Sequence, residues 1–356
     1  MAEAKYDYGM IGLGTMGRNL VYNICDHNYS VSGFDLDVGK VEALKQESAG
    51  RKIFGADNLQ QFIDSLNQPR TILLLVPAGD PVDKVIAGLK PLLSHEDLIL
   101  DCGNSHYTDT NRRIEQLAKD NIHFMGVGVS GGESGARYGP SIMPGGALEA
   151  YERIGAMLEA ISAKINNEPC VAYLGPGSSG HYVKMVHNGI EYALMQLIAE
   201  AYHLLKEKGA MTNDELHSVF AKWNEGKLKS FLIEITAEIF KKKDDLTENS
   251  LIDMILDSAQ QKGTGKWASQ DAMDLVVPIP VIDTALSARY LSADKAERVA
   301  GEKKLNGPQT DFNTGKNELV DWLEQALYFA MITSYAQGLT LLYQASKRYD
   351  YELKLE

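Results

Sequence analysis

Near its N-terminus the chain reads Tyr8-Gly-Met-Ile-Gly12-Leu-Gly14-Thr-Met-Gly17. A short apolar run, Tyr8–Ile11, leads into glycines spaced as GxGxxG, and a helical pattern follows them. Glycines at this spacing allow a tight turn between strand and helix, and the N–H groups at the start of that helix can hold a pyrophosphate. An ordinary glycine turn would account for the letters alone, but the order of strand, glycines and helix favours a dinucleotide-binding site. The residues expected to line it are Gly12, Leu13, Gly14, Thr15, Met16 and Gly17.

The second predicted strand, Val31–Asp35, ends in an acidic residue about 20 positions after the glycines, where the adenosine ribose of a dinucleotide usually binds. A carboxylate at Asp35 can accept hydrogen bonds from the 2′- and 3′-hydroxyls of NAD, and it would repel the 2′-phosphate of NADP. Leu36 and Asp37 add no positive charge to offset that repulsion. An aspartate that only shapes a turn is the alternative. We therefore predict a preference for NAD over NADP.

The first half of the chain alternates short apolar runs with helical patterns, which predicts βαβ units and a mostly parallel sheet. After the turn-rich break at 175–180 the chain shows long segments of helical period and no convincing strands. We expect an α/β fold: a Rossmann-type doubly wound parallel sheet in residues 1–176, followed by an all-α domain in residues 177–356. The further predicted strands are Thr71–Val76, Leu98–Asp101, His123–Met125 and Val171–Leu174, and the predicted helices are 180–208, 213–222, 228–240, 248–261 and 317–346.

Composition excludes several classes of protein. The 356 residues, 44% of them hydrophobic, can bury a sizeable core, and a net charge of −13 argues against a general polyanion binder. The three cysteines, Cys25, Cys102 and Cys170, have no CxxC spacing, which predicts neither a disulfide framework nor a zinc site. Neither a long apolar run nor signal-peptide character is present. We expect a soluble cytoplasmic protein without a metal.

A second informative run is Lys184-Met-Val-His187-Asn188-Gly-Ile-Glu191-Tyr192. On a helix, Lys184, His187, Asn188 and Glu191 fall on one stripe, and apolar residues form a separate stripe. The helical rise separates Lys184 from Glu191 by about 10 Å, which is too far for a direct ion pair. This spacing suits a base and an acid that act at two points along a small polar substrate.

Other polar groups occur where ligands of α/β proteins usually bind. Asn104 follows the fourth predicted strand, and Ser130-Gly131-Gly132 offers a hydroxyl and bare backbone N–H groups suited to a carboxylate or oxyanion. Further along, the runs 261–267 and 287–290 supply donors suited to a phosphate.

Together these motifs resemble the 6-phosphogluconate dehydrogenase family, from about residue 7 to the end. The motifs that carry the resemblance are Gly128-Val-Ser-Gly-Gly-Glu-Ser-Gly-Ala136, Gly139-Pro-Ser-Ile-Met-Pro-Gly-Gly146, His181-Tyr-Val-Lys-Met-Val-His-Asn-Gly-Ile-Glu-Tyr192, Lys262-Gly-Thr-Gly-Lys-Trp267 and Ser334-Tyr-Ala-Gln-Gly338. The related β-hydroxyacid dehydrogenases share the glycine fingerprint and the lysine, but they lack the phosphate-binding pieces.

The resemblance implies oxidation of 6-phosphogluconate at C3, loss of C1 as CO2 and release of ribulose 5-phosphate in the pentose phosphate pathway, without a metal. It implies that Lys184 is the general base, which must be neutral to accept the C3 hydroxyl proton, and that Glu191 is the acid that protonates C1 of the enediol left after CO2 has departed. It also implies contacts to the sugar acid from Asn104, Ser130, Gly131, Gly132, His187 and Asn188, a phosphate clamp of Tyr192, Lys262, Thr264 and Arg289, and cofactor contacts from Val76, Pro77, Ala78 and Asn104.

The chain departs from the family pattern at three places. Most members carry Asn-Arg-Ser/Thr after the second strand, where this chain has Asp35-Leu36-Asp37, and the common Val-Lys-Ala-Gly is here Val76-Pro77-Ala78-Gly79. Both changes remove positive charge and favour NAD. The chain also stops where the long form continues with an arginine and a histidine that complete a partner's phosphate site. We expect either a shortened chain or a compact branch of the family.

Two other functions remain open from the sequence. One is an NAD-dependent dehydrogenase of another small hydroxy acid, and the other is a cofactor-binding protein without catalysis. We expect a homodimer or homotetramer, because the helical half would otherwise leave apolar surface uncovered.

Overall fold

The computed structural model describes residues 5–48, 50–260, 263–305, 307 and 314–355. These residues pack as two compact units, the first formed by residues up to Met185 together with those from Leu342 onward, and the second by Val186–Leu341. The domain boundary that the sequence analysis places near residue 176 stays a prediction.

The first unit is built on a seven-stranded sheet whose strand order is β3-β2-β1-β4-β5-β6-β7. All neighbours pair in parallel except β6 and β7, which are antiparallel. Its strands are β1 Tyr8–Ile11, β2 Val31–Phe34, β3 Ile53–Gly55, β4 Thr71–Leu74, β5 Leu98–Asp101, β6 His123–Ser130 and β7 Ser141–Gly145, and a small hairpin joins β8 Lys164–Ile165 to β9 Glu168–Pro169.

Helices cover both faces of this sheet, so its strands are apolar on both sides. Along β4, Leu73 packs into one core cluster while Ile72 and Leu74 pack into the other, and Met10 and Ile11 of β1 divide in the same way. The predicted doubly wound Rossmann-type architecture is thereby confirmed. The helices of this unit are α1 Thr15–Asp26, α2 Val38–Gln46, α3 Leu59–Asp64, α4 Asp80–Leu89, α5 Tyr107–Ala118, α6 Gly132–Tyr138 and α7 Leu148–Ile161.

The last residues of the chain return to the first unit through an aromatic cluster. Tyr349 contacts the rings of Tyr107 and Tyr182, and Tyr351 donates or accepts a 2.8 Å hydrogen bond with the hydroxyl of Ser178. Tyr182 and Tyr351 are both buried. This packing explains why residues from Leu342 onward belong with the sheet.

The described part of the second unit is helical, which confirms the predicted all-α region. A capping box between Thr212 and Glu215 starts α9, and glycine and proline start α12 and α13. The remaining helices are α8 Ser179–Glu207, whose first turns lie in the first unit, α9 Asn213–Glu225, α10 Phe231–Lys241, α11 Leu251–Met254, α12 Thr264–Asp274, α13 Pro280–Ala293, α14 Lys295–Glu302 and α15 Lys316–Tyr349.

Two predicted elements are wrong. Val171–Leu174 is not a strand. An isolated bridge joins Val171 to Ile142, and the N–H of Leu174 donates to the carbonyl of Pro144 in β7, but Pro144 has no N–H with which to continue the ladder between them. In the predicted helix 248–261 only Leu251–Met254 is helical among the described residues. The side chains of Met254 and the two residues after it are about half exposed or more, so no buried face stabilises a longer helix. Strands β3 and β7 and helices α12 and α13 were not predicted.

In the described ranges, the helices include none that combines the length and the apolar character needed to cross a membrane. Cys25 and Cys102 are buried free thiols, and Cys170 is half-buried. Burial raises the pKa of the Cys25 thiol to about 12, which makes it a poor nucleophile near neutral pH.

Candidate functional site

The glycine fingerprint forms a tight turn with one open side. Gly12 has a φ of +98°, and a Cβ there would lie 2.4 Å from the carbonyl oxygen of Leu75. A Cβ on Gly17 would lie 1.8 Å from the carbonyl oxygen of Gly12, whereas a Cβ on Gly14 would meet nothing within 4 Å. Two glycines thus allow the turn to pack, and Gly14 leaves space for a ligand. No acidic side chain lies in the first turn of α1, so its N–H groups suit a pyrophosphate.

Asp35 lies at the end of β2 beside this turn. Its Oδ2 accepts a 2.8 Å hydrogen bond from the backbone N–H of Leu13, and its Oδ1 accepts one of 2.9 Å from the N–H of Asp37. An ionised carboxylate has about four acceptor positions, and these backbone donors take two of them. The Nζ of Lys40 lies 3.5 Å from Asp35 and 4.0 Å from Asp37. The sequence analysis did not identify this cation, which lies in the first turn of α2, shortly after the end of β2.

The ends of β4 and β5 carry the next two predicted segments, Val76-Pro77-Ala78-Gly79 and Asn104. The two loops touch, since a Cβ on Gly103 would lie 3.2 Å from the carbonyl oxygen of Val76. Asn104 is exposed between buried neighbours. The carboxylate of Asp101 anchors both neighbours, because it accepts hydrogen bonds from the N–H of Gly103 at 3.1 Å and the hydroxyl of Ser105 at 2.6 Å.

Ser130, Gly131 and Gly132 lie where β6 ends and α6 begins. Gly131 has a φ of +129° and Gly132 one of +60°, backbone conformations that favour glycine. The buried side chain of Asn23, on the fingerprint helix α1, donates hydrogen bonds to the carbonyls of Ala136 and Ile161. Asn23 therefore fixes α6 against α1, so the predicted carboxylate loop is held by the helix that starts at the predicted pyrophosphate site.

Lys184 lies in the second turn of α8 and is only 5% exposed. The start of this helix packs closely on β6, where a Cβ on Gly126 would lie 2.7 Å from the ring of His181 and a Cβ on Gly128 would lie 2.5 Å from the Cβ of Lys184. These glycines share one face of the strand, and the two helical residues are one turn apart. The alternation of glycine along β6 thus makes room for the lysine.

His181 connects this turn of α8 to the end of β5. Burial lowers the pKa of its imidazole, so the ring is neutral. Nε2 faces the carbonyl oxygen of Asp101 at 3.0 Å and must carry the proton, and Nδ1 therefore accepts from the hydroxyl of Thr110 at 2.6 Å. His181 stands in the quoted helix motif, but its partners are distant in sequence and gave no signal.

Gly128→Ala tests the close packing beneath Lys184. We expect a fall in kcat of about tenfold to a hundredfold, because the new methyl group displaces the lysine stem, with a loss of about 1–3 kcal/mol in the free energy of unfolding. Gly88→Ala is the matched control, since its Cβ would meet only the side chain of Leu59 at 3.4 Å. Steady-state kinetics and thermal denaturation of both variants are the measurements. Wild-type kcat in Gly128→Ala would contradict the account.

The second unit brings several predicted residues together around α8 and α12. Asn188 is buried and its Nδ2 donates a 3.1 Å hydrogen bond to the hydroxyl of Thr264, the first residue of α12. On the half-exposed side of α8, the Nδ1 of His187 lies 3.3 Å from the Oδ1 of Asn188 and 3.9 Å from a carboxylate oxygen of Glu191. A Cβ on Gly265 would lie 2.7 Å from the ring of Tyr192, so the two helices pack closely here.

Arg289 of α13 lies over Tyr192 of α8, with the guanidinium carbon 3.8 Å from the ring centroid. One of its Nη atoms donates a 2.8 Å hydrogen bond to the carbonyl of Gln260. The guanidinium is therefore held over the ring, and an arginine has five N–H donors, so further donors are left for an anion. The predicted clamp residue Lys262 lies outside the described residues.

Within the described residues, no group of three or more His, Cys, Asp and Glu side chains could hold a metal ion. The sites that the described residues form are therefore built from amine, amide, hydroxyl, imidazole, carboxylate and guanidinium groups.

Comparisons with known proteins match both parts of the chain. The model for the NAD binding domain of 6-phosphogluconate dehydrogenase matches residues 7–175, and that for the 6-phosphogluconate dehydrogenase C-terminal domain matches residues 180–356. The chain is 51% identical over 352 residues to the NADP(+)-dependent, decarboxylating 6-phosphogluconate dehydrogenase of Bacillus subtilis, covering 99% of this chain and 75% of that protein.

Two further relatives agree with these matches. The decarboxylating 6-phosphogluconate dehydrogenase of Schizosaccharomyces pombe is 51% identical over 349 residues, which is 98% of this chain and 71% of that one. The solved structure of Plasmodium falciparum 6-phosphogluconate dehydrogenase, studied in its apo form, with NADP+ and with 6-phosphogluconate, is similar with a TM-score of 0.92 and 43% identity. That likeness covers 98% of this chain and 76% of the Plasmodium chain.

Proposed function

The chain belongs to the 6-phosphogluconate dehydrogenase family, and from this premise we propose how its own residues carry the reaction. Its activity is the oxidative decarboxylation of 6-phosphogluconate in the pentose phosphate pathway, with NAD(P) as the oxidant. Ribulose 5-phosphate and CO2 are the products. The observation that carries this assignment is the 51% sequence identity to a decarboxylating relative, over an alignment that covers 99% of this chain.

We propose Lys184 as the general base. In its neutral form it removes the proton of the C3 hydroxyl while C3 is oxidised. Bound NAD(P) supplies the hydride acceptor for that oxidation. Lys184, now an ammonium, donates a hydrogen bond to the C3 keto oxygen and stabilises the negative charge that develops there as C1 leaves as CO2. The packing of its stem against Gly128, at 5% exposed, supports this role because it limits the positions that the amine can take.

Glu191 is our proposal for the general acid. The electron pair of the broken C1–C2 bond does not stay on the leaving CO2 but forms the enediol. Glu191 delivers a proton to the carbon that held the carboxylate, which completes ribulose 5-phosphate. The rise of the helix places Glu191 about 10 Å along α8 from Lys184, so the base and the acid reach different carbons of one substrate without neutralising each other.

The remaining predicted side chains divide by chemistry. We propose that Asn104, Ser130, Gly131, Gly132, His187 and Asn188 contact the carboxylate and hydroxyls of the substrate. The supporting features are the anchored turn beneath Asn104 and the hydrogen bond that fixes the amide of Asn188 to Thr264. For the phosphate we propose Tyr192, Thr264 and Arg289, together with Lys262.

Arg289→Ala tests the phosphate clamp. We expect kcat/KM for 6-phosphogluconate to fall by about tenfold to a hundredfold, mostly through KM, because a charge-assisted hydrogen bond to phosphate is lost. Affinity for NADH should change little. Arg298→Ala is the control, since Arg298 pairs with Asp257 on the surface of the same unit. An unchanged KM in Arg289→Ala would remove Arg289 from the clamp.

We also propose that the chain prefers NAD, although its Bacillus subtilis relative is named for NADP(+). The support is local charge. Asp35 and Asp37 carry two negative charges and Lys40 beside them carries one positive charge, so these three side chains together place a net negative charge where a 2′-phosphate would bind. The ratio of kcat/KM for NAD and NADP measures this, and a tenfold preference for NADP would refute it.

Self-association is a further proposal. On α15 an apolar stripe of Trp322, Phe329, Ile332, Tyr335 and Leu339 is exposed, at spacings that share one face of the helix. A stripe of this size on a single chain is typical of an interface, and a homodimer or homotetramer would cover it. Light scattering of the purified protein gives the mass of the assembly.

A cytoplasmic location stays a prediction, which cell fractionation tests.

One assay separates this function from its two alternatives. NADH or NADPH formation is followed spectrophotometrically with 6-phosphogluconate and with other small hydroxy acids as substrates. We expect turnover with 6-phosphogluconate only. Turnover with a different hydroxy acid alone would favour another dehydrogenase. Clear NADH binding without any turnover would favour a cofactor-binding protein without catalysis.

A further inference from the structure

Arg113 of α5 is almost fully buried, at 1% exposed, and lies at the carboxyl ends of β4 and β5. None of the sequence motifs described above includes it. Its guanidinium contacts acceptors from separate segments of the first unit. Burying a guanidinium is costly unless its donors are satisfied, so the arrangement of these contacts shows what the side chain does.

One part of the guanidinium holds the loop after β4. An Nη atom donates a 3.1 Å hydrogen bond to the carbonyl oxygen of Gly79, and Nε donates one of 2.8 Å to Asp83 in the first turn of α4. Gly79 has a φ of +84° and lies directly before α4. Arg113 thus ties the backbone of the loop to the helix that follows it.

The other Nη atom holds the loop after β5. It lies 3.2 Å from the hydroxyl of Ser105 and 3.4 Å from a carboxylate oxygen of Asp101. Ser105 in turn donates a 2.6 Å hydrogen bond to Asp101. The exposed residue between these anchors is Asn104.

We propose that Arg113 is a positioning residue for the cofactor: it holds the loop Val76–Gly79 and the loop 102–105 in register with each other. The inference rests on the proposed cofactor contacts of Val76, Pro77, Ala78 and Asn104. Arg113 is not among the residues proposed to contact the substrate or the cofactor. A planar guanidinium can serve both loops at once because its donors diverge in fixed directions, and a lysine ammonium cannot span them.

A second buried ion pair on the same two strands supplies a matched control. Arg70 precedes β4 and Asp97 precedes β5, and their side chains pair at 2.8 Å with exposed fractions of 10% and 1%. The guanidinium of Arg70 also donates to the carbonyl of Ile63 and lies 3.4 Å from the hydroxyl of Ser94, and both partners lie outside the two loops named above. The two arginines therefore hold opposite ends of the same strands, and only Arg113 lies at the predicted cofactor edge.

The test compares Arg113→Lys with Arg70→Lys. NADH binding is measured by fluorescence titration and kinetics by NADH formation, at a temperature where circular dichroism shows both variants folded. We expect Arg113→Lys to weaken NADH binding and to lower kcat by about tenfold or more each. Arg70→Lys should change both by less than about twofold, even if its melting temperature falls.

The binding results test the positioning role of Arg113 independently of the proposed reaction. Equal losses in the two variants, or wild-type NADH binding in Arg113→Lys, would overturn it. If Arg113→Lys does not fold, Ser105→Ala replaces it; this change removes the contact of Arg113 to the hydroxyl of Ser105 together with the Ser105–Asp101 hydrogen bond, and leaves the contacts of Arg113 to Gly79 and Asp83 in place. Weaker NADH binding in Ser105→Ala supports the proposal, and unchanged binding opposes it. The titration needs no turnover, so it stands even if the wild-type protein does not oxidise 6-phosphogluconate.

Discussion

Lys184→Met is expected to lower kcat for 6-phosphogluconate by about a hundredfold to ten-thousandfold, the range typical of a lost general base. Methionine has a similar length and no charge, so the buried position beside Gly128 stays filled. NADH binding should remain close to that of the wild type, because the fingerprint turn and Asp35 are unchanged. Stopped assays with long incubation measure the residual rate, and fluorescence titration measures the cofactor.

Lys206→Met is the control for this variant. Lys206 belongs to the same helix, α8, but its Nζ bonds Asn213 at 3.0 Å and Asp253 at 3.3 Å and lies outside the proposed catalytic stripe. Its kcat should match the wild type within about twofold, as is usual for a surface substitution. If Lys184→Met kept more than a tenth of the wild-type kcat, Lys184 could not be the base.

The second large expected effect is an exchange of cofactor preference from NAD to NADP. The double variant Asp35→Asn with Leu36→Arg should shift the ratio of kcat/KM for NADP over NAD by about a hundredfold or more, because one repulsive charge is removed and one charge-assisted hydrogen bond to the 2′-phosphate is gained. Lys40, which the carboxylate of Asp35 engages at 3.5 Å, becomes available to the phosphate as well.

Leu36→Met controls for the change of side chain at this exposed position. Leu36 is 90% exposed, so the neutral substitution should leave the ratio unaltered. A double variant whose ratio stays within about threefold of the wild type would show that charge at the β2 end does not select the cofactor. The shift should shrink at high salt, since exposed charges are screened.

The fold followed from local pattern to a large extent. The predicted strands Tyr8–Ile11 and Leu98–Asp101 have the observed bounds, and the predicted helix 180–208 differs from α8 by one residue at each end. Buried parallel strands are continuous apolar runs, and long helices repeat their period many times, so both give strong signals. Val171–Leu174 misled because a short apolar run does not show whether a neighbouring strand edge is available to pair with it.

The candidate site was only partly predictable. Glycines and polar stripes identified the fingerprint and the face of α8, because their chemistry depends on residues close in sequence. Arg113 and His181 were not identified as parts of the site, and Lys40 was missed although it is only five residues from Asp35 in the sequence. The partner of His181 at Asp101 is 80 residues away, and that of Arg113 at Gly79 is 34 residues away. Such contacts exist only after the sheet has brought its strand ends together.

The proposed function is that the base and the acid on α8 act on one substrate, which NAD(P) oxidises and which then loses CO2. Its most direct test is to supply 6-phosphogluconate isotopically labelled at C1 and to measure labelled CO2 and reduced cofactor in the same reaction. We expect equal amounts of labelled CO2 and reduced cofactor, with ribulose 5-phosphate as the remaining product. Reduced cofactor without labelled CO2, or no reaction with this substrate, would contradict it.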